Sequence, residues 1–366
     1  MTSSEYVEQA KTSSSWSVCQ RPVRVLCNGG VHHVRCGTRR KVKCESCAQT
    51  AYRDYKRLLL EGCRDLAEVG DCVFFLMTLT APSFGKVHFV PKKPEQVRRC
   101  ACGAYHDMAK DAGLRGVPVD IDSYDYEKVI AWNYHIGKLW NATNVRLSKL
   151  LPGMDYVKVS EWQMRGSLHL HVILRISRQE WLVQAAHARA TGQSFEEVIT
   201  SVVADIAVDN NWRWGYKALD VRQIKTGEDK TKAAHYLAKA LQYVTKDVTH
   251  DQEHAVRPEA REHFERLDCF ARDMECDYCE GGAYACGRLC HRRWGARSST
   301  MSKSRGGKKR RGWCKLRRMD LKVHRRWYAK TMSCVEQARH YLEQVVNAED
   351  MEAFAMSCVG GEIMLL

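Results

Sequence analysis

The stretch from Val157 to Arg175, VKVSEWQMRGSLHLHVILR, constrains the fold of this chain more than any other. From Leu168 to Leu174 it alternates as a β-strand does, and strand side chains point to opposite faces in turn. His169 and His171 therefore share one face. Two imidazoles beside open coordination positions can hold a divalent cation that acts as a Lewis acid on phosphate. The alternative is a histidine pair that only packs on a half-buried strand.

The same stretch predicts a β-hairpin whose register decides the role of Glu161. The first strand is predicted over 155–162, with Arg165-Gly166-Ser167 as the turn. If all three turn residues are unpaired, Glu161 lies opposite His171 and can supply a carboxylate to the same cation. If only two are unpaired, it faces Leu170. Because a one-residue slip exchanges the two faces, Glu161 is either a third metal ligand or a surface carboxylate.

Charge and composition narrow the class of protein. The 366 residues suggest two or three domains, and a net charge of +15 favours a polyanionic partner, nucleic acid ahead of a membrane surface. The N-terminus lacks the apolar run of a signal peptide, and no segment approaches the roughly 18 apolar residues of a membrane span. We therefore expect a cytoplasmic protein without a membrane partner, in which the 17 cysteines are zinc ligands and buried thiols.

The cysteines form two clusters. In the first, Cys44 and Cys47 have the two-residue spacing that presents two thiolates to one tetrahedral ion, and Cys36 is a natural third ligand. The fourth ligand stays open. The candidates are Cys27, His32 and His33 nearby, or Cys100, Cys102 and His106 from a distant loop. We predict a structural zinc ion here; unmetallated thiols are the alternative.

The second cluster comprises Cys276, Cys279, Cys286 and Cys290, followed directly by His291. The segment is rich in Gly and Tyr and has little hydrophobic content, so a metal would supply much of its folding energy. We predict a second zinc ion here. The alternative is a flexible, redox-sensitive loop.

Hydrophobic periodicity predicts the remaining elements. Helices are expected over 52–66, 126–151, 178–214, 231–246 and 333–354; strands over 72–80 and 216–223; and a loop over 103–125.

The predicted helix over 231–246 contains two tyrosine-lysine pairs, Tyr236 with Lys239 and Tyr243 with Lys246. Because seven residues span almost two helical turns, the two tyrosines lie only about 20° apart around the axis. A phenolate beside a metal site can attack a DNA phosphodiester, and a lysine one turn away can stabilise the developing charge. The alternative is that both tyrosines only pack.

These motifs, in their order, resemble those of a known group of enzymes. Met77-Thr-Leu-Thr80, Arg165-Gly-Ser-Leu-His-Leu-His171 and Tyr-x-x-Lys are similar to the three motifs of HUH endonucleases. The chain resembles more closely the rolling-circle plasmid replication initiators of high-GC Gram-positive bacteria, which also begin with a segment like Cys36 to Cys47. The similarity runs from about Arg35 to Lys246, and WGARSSTMSKSR, residues 294–305, matches such sequences too.

The resemblance implies an α+β fold with a central antiparallel sheet flanked by helices, here with cysteine-rich zinc segments at the N-terminus and after residue 268. It implies that His169 and His171 hold Mg or Mn while a tyrosine nicks single-stranded origin DNA. One departure concerns the nucleophile, since Ala240-Leu241-Gln242 separates the two tyrosine positions more widely than in such initiators. Tyr243 matches better by the residues that follow it, and Tyr236 by those that precede it. We favour Tyr243, with Tyr236 as the alternative or second nucleophile.

The C-terminal part is strongly basic. Between residues 301 and 330 there are thirteen Lys or Arg and one Asp, interleaved with Trp313, Trp327 and Tyr328. This composition favours phosphate neutralisation with base stacking, and an affinity that falls with salt; a solvated basic tail is the alternative. The predicted DNA contacts are Arg165, Lys308, Lys309, Arg310, Arg311, Arg317 and Arg318.

Three regions are predicted: an N-terminal cysteine-rich segment with its packing helix (1–70), an HUH endonuclease domain (71–250) and a cysteine-rich, basic DNA-binding region (251–366). The expected function is initiation of rolling-circle replication, with origin DNA as partner and a host helicase as a further candidate. The alternatives are a conjugative relaxase or single-strand transposase of the same chemistry, or a non-catalytic zinc-containing regulator that binds nucleic acid. The sequence leaves the oligomeric state open.

Overall fold

The computed structural model describes residues 19–27, 30–39, 41, 43–64, 72–209, 211–216, 219–224, 258–279, 286, 288–297, 301–306, 312–314 and 363–365. For 24–27, 30–34, 63–64, 289 and 363–365 it describes the backbone alone. The predicted helices over 231–246 and 333–354 lie outside the described residues. So do Tyr236, Lys239, Tyr243 and Lys246, and the basic residues at 308–311, 317 and 318.

The described strands are β1 Val23–Cys27, β2 Gly30–Val34, β3 Cys72–Leu79, β4 Asp155–Trp162, β5 Leu168–Ser177, β6 Ala207–Val208, β7 Trp212–Arg213, β8 Asp220–Ile224, β9 Met301–Lys303 and β10 Ile363–Leu365. The described α-helices are α1 Glu45–Arg64, α2 Tyr126–Leu150, α3 Arg178–Ala190, α4 Phe195–Ala204 and α5 Pro258–Asp273. The α+β class is confirmed.

The central sheet has five antiparallel strands in the order β8-β3-β5-β4-β9. β5, which carries the histidine pair, is the middle strand, and its apolar and β-branched residues fit a strand buried on both faces. The predicted hairpin is confirmed, and β4 has the bounds predicted from its alternation. A smaller sheet joins β10, β1 and β2 in that order.

The two faces of the central sheet pack against different helices. On one face, alternate residues of β3 and β5, such as Met77 and Val172, join the large core formed with α2, α3, α4 and α5. On the other face, Phe74 and Ile173 pack with Leu59 of α1 and with Trp313. The histidine pair belongs to this second face, because it alternates with Val172 along β5. The helix that follows the first cysteine cluster therefore covers the same face as the histidines.

Helix α2 holds the hairpin in place. Asp125 caps its N-terminus by accepting a hydrogen bond from the backbone N–H of Lys128. The indole of Trp132 donates to the Leu168 carbonyl at 2.9 Å. The amide of Asn133 donates to the Gly166 carbonyl and accepts from the Leu168 N–H, each at 2.8 Å. The start of β5 is thereby fixed by buried polar contacts that a helix and a turn make together.

Three expectations about elements are wrong in detail. The helix expected over 52–66 begins earlier, at Glu45. The continuous helical region expected over 178–214 is divided into α3 and α4, followed by the β6–β7 ribbon. Gly192 ends the first helix with φ +72°, and Ser194 begins the second with a capping box to Glu197. The strand expected over 216–223 is shorter and begins at Asp220. Among the described helices, none has the length and apolar character needed to cross a membrane.

Parts of the predicted C-terminal region pack on the central sheet. β9 pairs with β4, and α5 contributes Leu267 to the large core. Trp313 lies against Gly62 of α1 so closely that a Cβ at Gly62 would collide with the indole. The three-region division stays a prediction. The β4–β9 pairing joins its second and third regions, and the contact of Trp313 with Gly62 joins its first and third.

Candidate metal centre

One carboxylate and two imidazoles converge on the second face of the central sheet. Glu161 Oε2 lies 2.9 Å from His169 Nε2 and 2.9 Å from His171 Nε2. His171 is buried, while Glu161 and His169 remain partly exposed. Ligand atoms about 2.1 Å from a cation, in neighbouring octahedral positions, lie about 3.0 Å apart. The three side chains therefore fit one divalent cation, with coordination positions left for water or phosphate.

The register that brings Glu161 here is neither of those predicted. Trp162 pairs with Leu168, so five residues, 163–167, form the turn, and Glu161 pairs with His169. Relative to the predicted three-residue turn, the pairing is shifted by two residues. An even shift preserves the face on which a side chain lies, which is why the carboxylate still meets both rings.

The remaining ring nitrogens have partners that orient the imidazoles. His171 Nδ1 lies 3.3 Å from the hydroxyl of Thr78 on β3, and His169 Nδ1 lies 3.2 Å from the amide of Gln163 in the turn. Such outer contacts fix the ring orientation of metal-binding histidines. Neither residue is predicted from the sequence as a partner of the histidines; Thr78 lies within the Met77–Thr80 motif, and Gln163 lies two residues before Arg165.

The protonation states suit a cation. Burial raises the pKa of Glu161, but hydrogen bonds from His169 and His171 outweigh it and lower the pKa to about 2. Burial lowers the pKa of His169, against the opposing effect of Glu161. At neutral pH the site therefore offers an ionised carboxylate and a neutral His169 imidazole, which are the forms that bind metal.

Arg165, in the turn between β4 and β5, makes hydrogen bonds that hold this turn beside the site. Its guanidinium donates to the carbonyls of Pro82 at 2.8 Å and Ala81 at 3.0 Å, and to Gln163 Oε1 at 2.8 Å. It joins the hairpin turn to the segment after β3. The predicted DNA contact of Arg165 is untested, and these three bonds give it a structural role that the sequence did not indicate.

The first cysteine cluster contains Cys36, Cys44 and Cys47 as predicted, with Cys19 as a fourth member. Cys19 Sγ lies 3.9 Å from Cys44 Sγ and 3.6 Å from Cys47 Sγ, where tetrahedral zinc thiolates would be about 3.8 Å apart. Hydrogen bonds from Cys19 and Cys36 lower the pKa of Cys44 to about 7. All four side chains are buried, and the cluster can hold a metal ion.

Three details around this cluster bear on the predictions. Cys47 lies in the first turn of α1, so the cluster anchors the N-terminus of the helix that covers the histidine face. The Arg35 guanidinium hydrogen-bonds Ser46 and contributes to lowering the pKa of Cys47, after the larger effect of the neighbouring thiols. Cys27 ends β1, and its side chain is outside the described part of the structure.

The second cluster brings together Cys276, Cys279, Cys286 and His291. Sulfur separations are 3.7 Å between Cys276 and Cys286 and 3.5 Å between Cys276 and Cys279, and His291 Nε2 lies 3.4 Å from Cys279 Sγ. The other ring nitrogen of His291 lies 3.2 Å from the Ala271 carbonyl, as in many zinc sites.

The fourth ligand of this cluster is His291, whereas the sequence predicted Cys290. Cys290 is buried beside the cluster, where burial raises its pKa. Cys290 and His291 are adjacent on the 3-10 turn Leu289–Arg292, so their side chains leave the turn in different directions. The sequence spacing of the cysteines alone does not tell which of the two side chains faces the other ligands.

The distant candidates for the first cluster are placed elsewhere. Cys100, Cys102 and His106 form a separate group with His88. As candidates for the open fourth position beside Cys36, Cys44 and Cys47 they are therefore wrong, and Cys19 takes that position. His88, the fourth member, precedes the other three by 12 or more residues, and no short spacing in the sequence links it to them.

Comparisons with known proteins match one family and one curated relative. The profile of a family described as "Replication initiator protein, pSAM2" matches residues 23–344. A replication initiator protein from Streptomyces ambofaciens is 35% identical, in an alignment that covers 60% of this chain and 53% of that protein. The chain thus spans about half the length of this curated relative. No solved structure matches the chain significantly.

Proposed function

Because the chain belongs to this family of replication initiator proteins, we propose that it starts rolling-circle replication by nicking single-stranded origin DNA. The observation that carries the proposal is the convergence of Glu161, His169 and His171 within 2.9 Å on the central strands of the sheet. A histidine pair that only packs does not need a carboxylate oxygen shared between its two rings.

The residues of the site have distinct proposed roles. Glu161, His169 and His171 hold Mg or Mn, which when bound polarises a non-bridging oxygen of the scissile phosphate. Thr78 and Gln163 keep the two rings in place through their Nδ1 atoms. Arg165 keeps the turn against the segment after β3.

The proposed nucleophile is Tyr243, with Tyr236 as the alternative or second nucleophile. The phenolate oxygen attacks phosphorus, the bond from phosphorus to the 3′ oxygen breaks, and the 5′ phosphate becomes joined to tyrosine. The free 3′ hydroxyl can reverse the step and rejoin strands. Lys246, or Lys239 beside Tyr236, is proposed to stabilise charge on the phosphate or phenolate.

Two further proposals concern binding and stability. Lys308, Lys309, Arg310, Arg311, Arg317 and Arg318 are proposed to contact DNA phosphates. The clusters Cys19-Cys36-Cys44-Cys47 and Cys276-Cys279-Cys286-His291 are proposed to hold structural zinc, because their sulfur and nitrogen separations match tetrahedral coordination. A host helicase is proposed as a further partner.

The proposal is tested by incubating the full chain with Mn and tiled, labelled single-stranded oligonucleotides from the replicon's non-coding DNA. We expect one cleaved sequence and a covalent protein-DNA adduct that survives denaturation. His171→Ala should abolish nicking while leaving most of the salt-sensitive DNA binding, because the ligand set is lost but the basic surface is not.

Glu180→Gln is the matched control, since Glu180 is on α3, outside the site, and it should nick normally. Full adduct yield from a Tyr236→Phe, Tyr243→Phe double variant would overturn the nucleophile assignment. DNA binding that persists in chelator with no cleavage by the wild type would favour the non-catalytic regulator instead. Cleavage only at a transfer origin or a transposon end would favour a relaxase or a transposase.

A further inference from the structure

The segment that joins β3 to α2 is long and has little structure of its own. Between Thr80 and Asp125 it contains only two short 3-10 turns, Pro94–Gln96 and Ala112–Leu114. Most of its side chains from Lys92 to Asp111 are exposed. Loops beyond about 15 residues without regular structure are uncommon in compact domains. Residues at both ends of the segment, such as Phe84 and Val117, belong to the large core, but the stretch from Lys92 to Asp111 has little apolar burial to order it.

Four metal-binding side chains lie together in this segment. His88, Cys100, Cys102 and His106 each offer a ligand atom, and these atoms all lie within 4.8 Å of one another. His88 Nδ1 is 3.2 Å from His106 Nε2, His106 Nε2 is 3.3 Å from Cys102 Sγ, and Cys100 Sγ is 3.8 Å from His88 Nδ1. We propose that these residues form a third, separate zinc site.

The separations agree with tetrahedral zinc. Bonds of about 2.05 Å to nitrogen and about 2.3 Å to sulfur place two nitrogens about 3.3 Å apart, and a nitrogen and a sulfur about 3.6 Å apart. The three observed distances deviate from these values by no more than about 0.3 Å. Two thiolates with two imidazoles form a neutral complex with Zn²⁺, which suits a half-buried position without a compensating charge.

The surroundings of the ligands support the same conclusion. His106 Nδ1 lies 3.2 Å from Asp111 Oδ2, so its other nitrogen is directed to the site. A carboxylate on the far ring nitrogen is a usual partner of zinc-bound histidine. Cys100 Sγ accepts from the Phe89 N–H at 3.3 Å, which favours the thiolate. Gly103, with φ +93°, donates to the Cys100 carbonyl and turns the chain back toward His106.

The site connects the segment to the hairpin of the first metal centre. The His88 N–H donates to the Val117 carbonyl at 2.8 Å, and the His88 carbonyl accepts from the Gly116 N–H at 2.9 Å. Gly116 lies against Met164 in the turn between β4 and β5. Fixing His88 thereby fixes the strand-like pairing that holds the segment against the turn. A zinc ion here would cross-link distant parts of a long loop. Its binding free energy would contribute to folding, because the site does not exist in the unfolded chain.

Cysteine alkylation of the native full-length protein tests the site. Cys102 and Cys269 are both exposed thiols, and only Cys102 belongs to a metal-binding group. In protein purified with zinc, we expect iodoacetamide to modify Cys269 at once and Cys102 only after a chelator is added, as read by peptide mass spectrometry. Prompt alkylation of Cys102 before chelation would overturn the site, and so would protection of Cys102 that a chelator does not relieve.

Metal content supplies an independent readout. Cys102→Ser should lose about one zinc ion per chain, whereas Cys102→His, which keeps a ligand, and Cys269→Ser should retain the wild-type content. An unchanged zinc content in Cys102→Ser would contradict the proposal. Neither alkylation nor zinc content involves DNA or the tyrosines. The zinc proposal can therefore fail while the nicking proposal holds, and the nicking proposal can fail while the zinc proposal holds.

Discussion

Arg175 connects four segments through one guanidinium group. It donates to Asp155 Oδ2 at 2.7 Å, and to the carbonyls of Gly62 at 2.8 Å, Gly312 at 2.7 Å and Trp313 at 3.1 Å. Arg175 and Asp155 are both buried. Removing one partner of such a pair leaves the other charge buried without compensation, which is costly.

We expect Arg175→Met to lower the free energy of unfolding by about 3 to 5 kcal/mol, as measured by urea denaturation. Arg222→Met is the control, because Arg222 pairs with Asp220 at the surface, where an ion pair contributes little. Equal losses in the two variants would contradict the connecting role of Arg175.

His263 makes the stability depend on pH. Its Nδ1 lies 3.0 Å from the Tyr126 hydroxyl and its Nε2 lies 3.1 Å from the Met164 carbonyl, so the neutral ring has both nitrogens paired. Burial lowers its pKa to about 4. Between about pH 6.5 and 4 the unfolded chain binds a proton at His263 that the folded chain does not. The contribution of the neutral His263 ring to the free energy of unfolding is therefore fully present above about pH 6.5 and is lost as the pH falls toward 4.

Titration of His263 should lower the free energy of unfolding by about 2 kcal/mol when the pH falls from 7 to 5. We expect His263→Gln, which keeps hydrogen-bonding groups and does not titrate, to lose correspondingly less stability over that interval. The measurement is urea unfolding of both proteins at the two pH values. Parallel pH dependence in both would show that His263 is not the group responsible.

Single residues differ in how far the sequence could reveal their roles. Alternation along a strand was enough to place His169 and His171 on one face, and an even shift in register left Glu161 on that face as well. Cys19 and His88 could not be assigned, because each lies a dozen or more residues before its nearest partner in the sequence, and no short ligand spacing links them.

At the scale of elements, the β4–β5 turn contains a glycine that packs too closely on α5 to accept a side chain. Gly166 has φ +81°, and a Cβ there would lie 2.5 Å from Leu267 of α5. Gly192, between α3 and α4, has φ +72° but open space around its Cα. The two glycines thus separate the cost of a left-handed backbone from the cost of a clash.

We expect Gly192→Ala to cost about 1 kcal/mol from the backbone alone. Gly166→Ala should cost about 2 to 4 kcal/mol, because overpacking against Leu267 is added. Denaturant unfolding of both variants measures the difference. Similar values would mean that α5 moves freely away from the turn, contrary to its packing in the core.

The sequence predicted elements best where the hydrophobic pattern was strict. β4, in which Val157-Lys158-Val159-Ser160 alternates, was predicted at its observed bounds. The region 178–214 was read as one helix because apolar residues recur across it, although Gly192 and the Ser194 cap divide it. The tyrosine helix over 231–246 lies outside the described residues, so that prediction stays untested.

At the scale of the whole molecule, distant segments complete the central sheet. β9 pairs with β4 across more than a hundred residues of sequence, and Trp313 packs on α1. No pattern within either segment indicates these contacts, since they depend on the arrangement of the whole core. Family membership, in contrast, rests on a profile match over residues 23–344 and does not depend on knowing these contacts.

The central claim is that a tyrosine of this chain becomes joined to DNA at a histidine-bound cation. The direct measurement is mass spectrometry of the peptides from the adduct formed with Mn and the cleaved oligonucleotide. We predict a nucleotide-bearing peptide that contains Tyr243, or Tyr236 as the alternative, and no such peptide from His171→Ala. A wild-type adduct on a peptide with neither tyrosine, or cleavage with no adduct at all, would contradict the account.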